Sequence, residues 1–138
     1  TQDERTPLER PLWWPERYFH HRTAITKVDP RIAGVGNRTN GGLMGIVLPT
    51  GVVNAGDPDG AYAEVVAFGA AHQESYALEA AAVAAAGYAA ALAREASADS
   101  VVQAMRRVAK DGTRLAIEAT VAATDLLAPV ETFIDDFW

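Results

Sequence analysis

The sequence predicts an all-α protein, and three observations support this prediction. Apolar residues recur at helical spacing through most of residues 57–124. The segment from Ser75 to Arg94 carries Ala, Val and Leu on nearly all sides, which is typical of a helix buried among other helices. Asp57 and Ser97 stand where side chains commonly cap the N-termini of helices. The chain shows no internal repeat and no heptad pattern.

The chain has 138 residues, which is about one domain. A domain of this size buries roughly two-thirds of the surface that its unfolded chain exposes, so a core can form. We divide it into an irregular lead-in at residues 1–29 and a helical core portion at residues 30–138. The lead-in carries three prolines and a cluster of four aromatic residues within residues 7–19.

Residues 30–42 are expected to form a loop, since four of them are glycines. The apolar run from Leu43 to Leu48 fits either a helix or a strand. Because the run follows an Asn-Gly-Gly sequence, we favour a helix that Asn40 caps and that Pro49 and Gly51 end.

The next helix begins at Asp57 and Pro58. Aspartate is a good N-cap, and proline at the first helical position loses no hydrogen bond. The helix should extend to about Ala71. Its inner face is expected to consist of Ala61, Val65, Phe68 and either Ala71 or His72.

The remaining helices follow in order. The buried helix spans about Ser75 to Arg94, and Ser97 caps a helix that Gly112 breaks. Val101, Val102, Met105 and Val108 should form the inner face of the Ser97-capped helix. A further helix from about Thr113 to Thr124 carries the apolar residues Leu115, Ile117, Ala119 and Val121. Pro129 begins a last short segment that ends at Trp138.

The net charge of −6 is unevenly spread along the chain. Residues 1–38 hold seven of the 12 Lys and Arg and five acids, whereas residues 39–138 have a net charge of −8. This balance excludes non-specific binding to duplex nucleic acid, which needs a strong basic field. The basic residues between Arg17 and Arg38 fit either contacts with one anionic small molecule or scattered solvated charge.

The sequence contains no cysteine, which excludes disulfides, thiolate zinc sites and thiol nucleophiles. A cytoplasmic protein is consistent with this composition. Residues 1–20 are polar and charged, unlike a signal peptide. The longest apolar stretch is interrupted by Glu79, Tyr88 and Arg94, so we expect no membrane span.

The loop from Gly34 to Gly42 is the first candidate binding site. Backbone N–H groups of a glycine-rich loop, together with the start of a helix, favour a phosphate or diphosphate. Arg38 and Asn40 would add side-chain donors. The pattern is not that of a dinucleotide fingerprint, because Thr39 stands at the third glycine position, and no phosphate-loop lysine follows. An ordinary tight loop therefore remains an alternative.

His72 is the second candidate, because it lies at the junction of two predicted helices. A histidine there could contact a ligand or act as a general acid or base. The alternative is a polar junction residue bonded to the backbone. His72-x-Glu74 resembles the start of a zinc deaminase motif, but such sites need cysteines and this chain has none.

Other polar residues fit structural roles. His20 and His21 are adjacent and would point to different sides, so they suit surface or packing positions. Asp57 and Asp59 suit helix capping. Three glutamates, Glu64, Glu74 and Glu79, either face one another across two helices or lie on solvated faces. Asp135-Asp136 belongs to an acidic tail for which a metal role is an alternative.

Four elements in order resemble the ADP-ribosylglycohydrolase family. They are Gly36-Asn-Arg-Thr-Asn-Gly-Gly-Leu-Met44, Pro49-x-Gly51, Gly56-Asp-Pro58 and a helix that ends in His72. The segment Ala109-Lys-Asp-Gly-Thr-Arg114 also looks like a late element of some bacterial members. The resemblance covers roughly residues 30–124.

The resemblance implies a compact multi-helix orthogonal bundle that binds ADP-ribose or a related nucleotide-sugar in a cleft. It also implies hydrolysis of the bond between the ribose and its leaving group, with two Mg or Mn ions holding the ribose and the attacking water. His72 would lie near the ligand. The diphosphate would be wrapped by Gly36, Asn37, Arg38, Thr39, Asn40, Gly41 and Gly42.

The sequence departs from the family where its metal ligands are expected. Thr124-Asp125 lacks a second aspartate, and Asp135-Asp136 lacks threonines, so we assign no metal ligand to this chain. Gly45 and Thr39 also replace residues common in the family. We therefore expect a bundle incomplete at both ends, with a second polypeptide as one source of the metal ligands. The alternatives are a non-catalytic, metal-free relative that binds a nucleotide or is structural, and a generic helical interaction domain.

Overall fold

The computed structural model describes residues 21–37 and 40–125, which contain helices and no strand. Residues 21–26 are helical, and two 3-10 turns follow at Pro30–Ile32 and Met44–Ile46. The all-α prediction is confirmed. The helices that follow within the described residues are α1 (Leu48–Val53), α2 (Pro58–Gly69), α3 (Ser75–Ala91), α4 (Ala98–Val108) and α5 (Asp111–Asp125).

Two of the three predicted N-caps, Asp57 and Ser97, are confirmed. The carboxylate of Asp57 accepts the N–H of Gly60 at 3.0 Å, and Pro58 occupies the first position of α2. The hydroxyl of Ser97 accepts the N–H of Ser100 at 3.1 Å, while the Ser100 hydroxyl accepts the N–H of Ser97 at 2.9 Å. This reciprocal pair satisfies two N–H groups that a helix start otherwise leaves without a partner.

Helix α3 is the centre of the described fold, as its composition predicts. It contacts α1, α2, α4 and α5, and nine of its 17 residues are buried, most of them alanines. A buried methyl contributes only about 0.8 kcal/mol. The stability of this core therefore depends on how closely the helices approach rather than on large side chains.

The segment from Leu43 to Leu48 is not the single helix predicted, and Asn40 does not cap a helix. The Asn40 side-chain oxygen accepts the N–H of Gly42 at 2.7 Å, which closes a local turn. Helix α1 begins only at Leu48, so the prediction that Pro49 and Gly51 end a helix is also wrong.

Pro49 and Gly51 lie inside α1 for different physical reasons. Proline costs nothing in the first turn, where its missing N–H has no partner in any case. Gly51 is buried against α3, and a Cβ at this position would lie 2.4 Å from the Cβ of Tyr88. The missing side chain therefore lets α1 approach α3.

The predicted inner face of α2 is correct at Ala61 and Val65, which are fully buried, and wrong at Phe68, which is 44% exposed. Gly69 is buried instead. A Cβ at Gly69 would lie 2.7 Å from the methyl carbons of both Leu43 and Leu78. The buried stripe thus follows a spacing of four residues, and close packing requires a glycine at its third position.

The break between α4 and α5 falls at residues 109–110 rather than at Gly112. Asp111 starts α5 with a φ of 36°. Of the apolar residues on α5, Leu115 is 67% exposed, whereas Ile117 packs against the cluster around Val108. In the described part of the chain, no helix has the length and apolar character needed to cross a membrane.

Candidate ligand-binding site

The glycine-rich loop is attached to the residues that follow α2. The N–H of Gly34 donates to the carbonyl of Ala70 at 2.9 Å. The side-chain amide of Asn37 donates to the carbonyl of His72 at 2.5 Å. A Cβ at Gly34 would lie 2.6 Å from the backbone nitrogen of Gln73, so only glycine permits this approach. The two predicted site segments therefore form one structural unit.

Gln73 holds the far end of the same loop. Its side chain is 1% exposed, and its amide nitrogen donates to the Asn40 side-chain oxygen at 3.0 Å. That oxygen also accepts the N–H of Gly42. Because a backbone N–H can only donate, the bonded atom of Asn40 is its oxygen, and Gln73 must present its nitrogen to it.

Glu74 adds a charged contact to the loop. Its carboxylate accepts the N–H of Gly36 at 2.8 Å, across 38 residues of sequence. Gly36 itself has a φ of 81°. A negatively charged side chain thus occupies one of the loop donors that we expect to face an anion.

Several loop amides are engaged within the protein in this structure. Besides Gly36 and Gly42, the N–H of Asn37 donates to the carbonyl of Gly34 at 3.0 Å. The loop also fails to run directly into a long helix. A 3-10 turn follows it, and α1 has only six residues. The expected contribution of a helix start to anion binding is therefore absent from the described part of the chain.

Two amide oxygens at the junction are buried. Among the described residues, the side-chain oxygens of Asn37 and Gln73 have no hydrogen-bond partner, and the two side chains are 7% and 1% exposed. A buried acceptor left in this state costs about 1–3 kcal/mol. Such atoms mark positions where a ligand hydroxyl or an ordered water would donate.

His72 lies half-buried at the junction, as predicted from its position. Its N–H donates to the carbonyl of Gly69 at 2.8 Å, and its own carbonyl accepts from Asn37. The backbone of His72 therefore holds the loop, which supports the interpretation as a junction residue. A contact between its imidazole and a ligand stays a prediction.

The other sequence-predicted positions are placed as follows. Gly41 is exposed within the loop, whereas Arg38 and Thr39 lie outside the described residues. His21 is exposed in the helical segment at residues 21–26. His20, Thr1–Phe19, the segment from Pro129 to Trp138 and Asp135-Asp136 also lie outside the described residues.

The three glutamates predicted to face one another or solvent each have a separate partner. Glu64 accepts from the Asn54 side chain at 2.6 Å, and Glu74 accepts from Gly36. Glu79 accepts the hydroxyl of Tyr62 at 2.5 Å and the N–H of Lys110 at 2.7 Å. These carboxylates join separate segments of the chain, and they do not act as one acidic cluster.

A cleft of about 300 Å³ lies between the start of α3 and the α4–α5 connection. Ser75, Tyr76, Glu79, Lys110 and Thr113 contribute to its walls. Ser75 follows Glu74 directly, so the loop and the cleft flank the same helix start. The backbone is strained at this rim, since Ser75 has a φ of 56°.

Tyr62 and Glu79 form a polar pair, and Glu79 also contributes to the wall of this cleft. Burial raises the pKa of Tyr62 to about 12, and the hydrogen bond to Glu79 and the charge of that carboxylate act in the same direction. The ammonium of Lys110 lies 5.9 Å from the centre of the Tyr62 ring. The pair therefore joins α2, α3 and the α4–α5 connection by polar contacts.

The roles of Gln73 and Glu74 at the loop and of Glu79 at the cleft were not predicted from the sequence. One indication was available: residues 72–75 are a polar run between two apolar helices. A polar run at such a junction has backbone and side-chain groups that must find partners. The identity of those partners depends on tertiary structure.

The described residues do not fit a two-metal centre. Within the ranges 21–37 and 40–125, no group of three or more His, Asp and Glu side chains is placed to hold an ion. We therefore derive no catalytic step through a metal from these residues.

The chain matches a known protein family. A family model described as ADP-ribosylglycohydrolase matches residues 6–137, which is nearly the whole chain. Comparisons with curated proteins and with solved structures gave no significant match.

Proposed function

Because the chain belongs to the ADP-ribosylglycohydrolase family, we propose that it forms part of a hydrolase that cleaves a ribosyl glycosidic bond. The substrates would be ADP-ribose conjugates or a related glycoside. In this proposal, the loop from Gly36 to Gly42 and the side chain of His72 bind the ADP-ribose-like portion of the substrate.

The observation that carries this proposal is the attachment of the loop to the junction after α2. Gly34, Asn37 and Asn40 each bond to a residue between positions 70 and 73. A loop fixed in this way is preorganised, so a ligand that binds it loses little affinity to loop ordering. It also keeps His72 beside the loop.

In this proposal, the residues at the junction have separate roles in binding. Asn37 and Gln73 position the loop through their amide nitrogens and keep their amide oxygens available for a donor such as a ribose hydroxyl. The His72 imidazole, half-buried at the same junction, would contact the ligand from the helix side.

Catalysis in this proposal needs residues beyond those described. The family resemblance implies Mg or Mn ions, which would activate water and orient the sugar. Their ligands would come from elsewhere, and a second polypeptide is one source. The absence of cysteine fits the cytoplasm as the compartment.

One observation favours a second candidate, a non-catalytic nucleotide-binding or structural relative. Near the loop and cleft, the described carboxylates of Glu74 and Glu79 already accept hydrogen bonds from the protein. These bonds join separate segments of the chain, which fits a structural role for both carboxylates.

The test is to incubate the purified chain with an ADP-ribosylated protein, with and without Mg or Mn, and to follow ADP-ribose release by mass spectrometry. Native mass spectrometry of the same sample shows whether a second polypeptide is bound. Release of ADP-ribose supports the hydrolase. Calorimetric binding of ADP-ribose without release, in a sample whose native mass shows a second polypeptide bound, supports the non-catalytic relative, and neither release nor binding rejects both.

A further inference from the structure

Glu74 has an unusual position at the start of α3. It is the residue just before the helix, with extended backbone, yet its side chain makes no capping bond to its own helix. Its carboxylate instead accepts the N–H of Gly36 at 2.8 Å. That N–H belongs to the proposed ligand-binding loop.

We propose that Glu74 competes with anionic ligand groups at this loop, because its carboxylate occupies a donor that such a group would use. An anion then binds at Gly36 only by displacing Glu74. The inference rests on the proposed function of the loop. It concerns a phosphate or diphosphate group, which recognises the same N–H donors as a carboxylate.

The negative charge of Glu74 opposes anion binding more strongly than the hydrogen bond to Gly36 alone would. A carboxylate that stays at Gly36 would repel the negative oxygens of the ligand over a distance of a few ångströms. The contact is solvent-exposed, so this repulsion is screened and its effect is moderate. The nearby guanidinium of Arg22 donates to the carbonyl of Val35 at 3.0 Å, which places a positive charge beside the same turn.

The displaced carboxylate has a second favourable position. The first N–H groups of α3 have no partner within the helix, and the N-terminal end of a 17-residue helix attracts negative charge. Glu74 precedes this end directly. Moving from Gly36 to the start of α3 therefore exchanges one set of N–H donors for another, which keeps the displacement readily reversible.

The test uses the full chain labelled with ¹⁵N and titrated with inorganic pyrophosphate, following the Gly36 amide by NMR. Glu74→Gln keeps an acceptor oxygen but removes the charge, and should bind pyrophosphate about three- to tenfold more tightly than the wild type. Glu74→Asp keeps the charge and should stay within about twofold of the wild type. Glu64→Gln is the matched control, since Glu64 accepts a hydrogen bond from Asn54 away from the loop.

The outcomes separate this inference from the function on which it rests. Tighter binding by Glu74→Gln alone supports the role of Glu74. Equal or weaker binding by Glu74→Gln, with clear binding by the wild type, overturns that role and leaves the proposed loop function standing. If pyrophosphate binds to none of the variants, both the loop function and the role of Glu74 are overturned.

Discussion

The side-chain amide of Asn37 donates to the backbone carbonyl of His72, and this bond joins two segments 35 residues apart in sequence. The bond uses the backbone of His72 rather than its imidazole. A substitution of the His72 side chain therefore leaves the acceptor of this bond in place. The roles of the imidazole and of the loop attachment can be tested separately.

Loop attachment is tested by Gly34→Ala. The new methyl would lie 2.6–2.7 Å from backbone atoms of Gln73 and Ala70, so the loop must shift away from the junction. We expect a loss of about 1–3 kcal/mol in the free energy of unfolding and faster amide hydrogen exchange at residues 36–42. Gly41→Ala is the control, since nothing lies within 4 Å of its added methyl. Equal exchange in the two variants would contradict the attachment.

Helix α1 is expected to depend on Gly51. In Gly51→Ala, the methyl would lie 2.4 Å from the Cβ of Tyr88, and neither helix backbone can yield without repacking. Urea denaturation should show a loss of about 1–3 kcal/mol, despite the better helix propensity of alanine. Gly45→Ala adds the same methyl in open space. A Gly51→Ala protein as stable as the Gly45→Ala protein would show that α1 is not packed closely on α3.

The two aspartates at the start of α2 should differ in their contribution to stability. Asp57→Ala removes the cap on the Gly60 N–H and should cost about 1 kcal/mol. Asp59→Ala removes an exposed ion pair with Arg107 and should cost at most about 0.5 kcal/mol. Thermal denaturation of both variants measures the difference in their loss of stability. A larger loss from Asp59→Ala than from Asp57→Ala would contradict the assignment of Asp57 as the stabilising cap.

Tyr62 should make stability depend on alkaline pH. Its pKa is raised from 10.0 to about 12 in the folded protein, first by burial and then by Glu79. The raised value means that the neutral phenol is favoured by folding. Its contribution is therefore fully present below pH 10 and is lost as the pH rises towards 12.

The measurement is the free energy of unfolding of the wild type and of Tyr62→Phe between pH 8 and pH 11.5. The difference between the two should shrink as the pH rises, because only the wild type loses the Tyr62 contribution. Tyr88→Phe, at a tyrosine that is 39% exposed, controls for loss of a phenol elsewhere. A difference that stays constant across this range would show that Tyr62 titrates alike in the folded and unfolded chains.

The sequence predicted those elements whose causes are local. Asp57 and Ser97 cap helices through bonds that span three residues, and alanine content alone marks α3 as buried. The position of α1 was mispredicted because a glycine such as Gly51 is typical of a helix end. In the structure, Gly51 instead lies inside α1, where it packs against Tyr88. Close approach to another helix, rather than local propensity, decides the role of that glycine.

The candidate site was predicted only in part, for a related reason. The glycines and His72 could be selected from composition and position, and the family resemblance joined them. Gln73 and Glu74 could not be assigned, because their partners Asn40 and Gly36 lie more than 30 residues away in sequence. The tertiary fold determines which polar groups become partners when they are that far apart in sequence.

The most direct test of the account is an NMR titration of the full chain with ADP-ribose, compared with His72→Ala and the control His21→Ala. We predict amide shifts concentrated at residues 36–42 and 72–74, with binding weakened in His72→Ala and unchanged in His21→Ala. Shifts confined to the cleft between Ser75 and Thr113, or no shifts at all, would contradict the assignment of the loop and His72 as the ligand site.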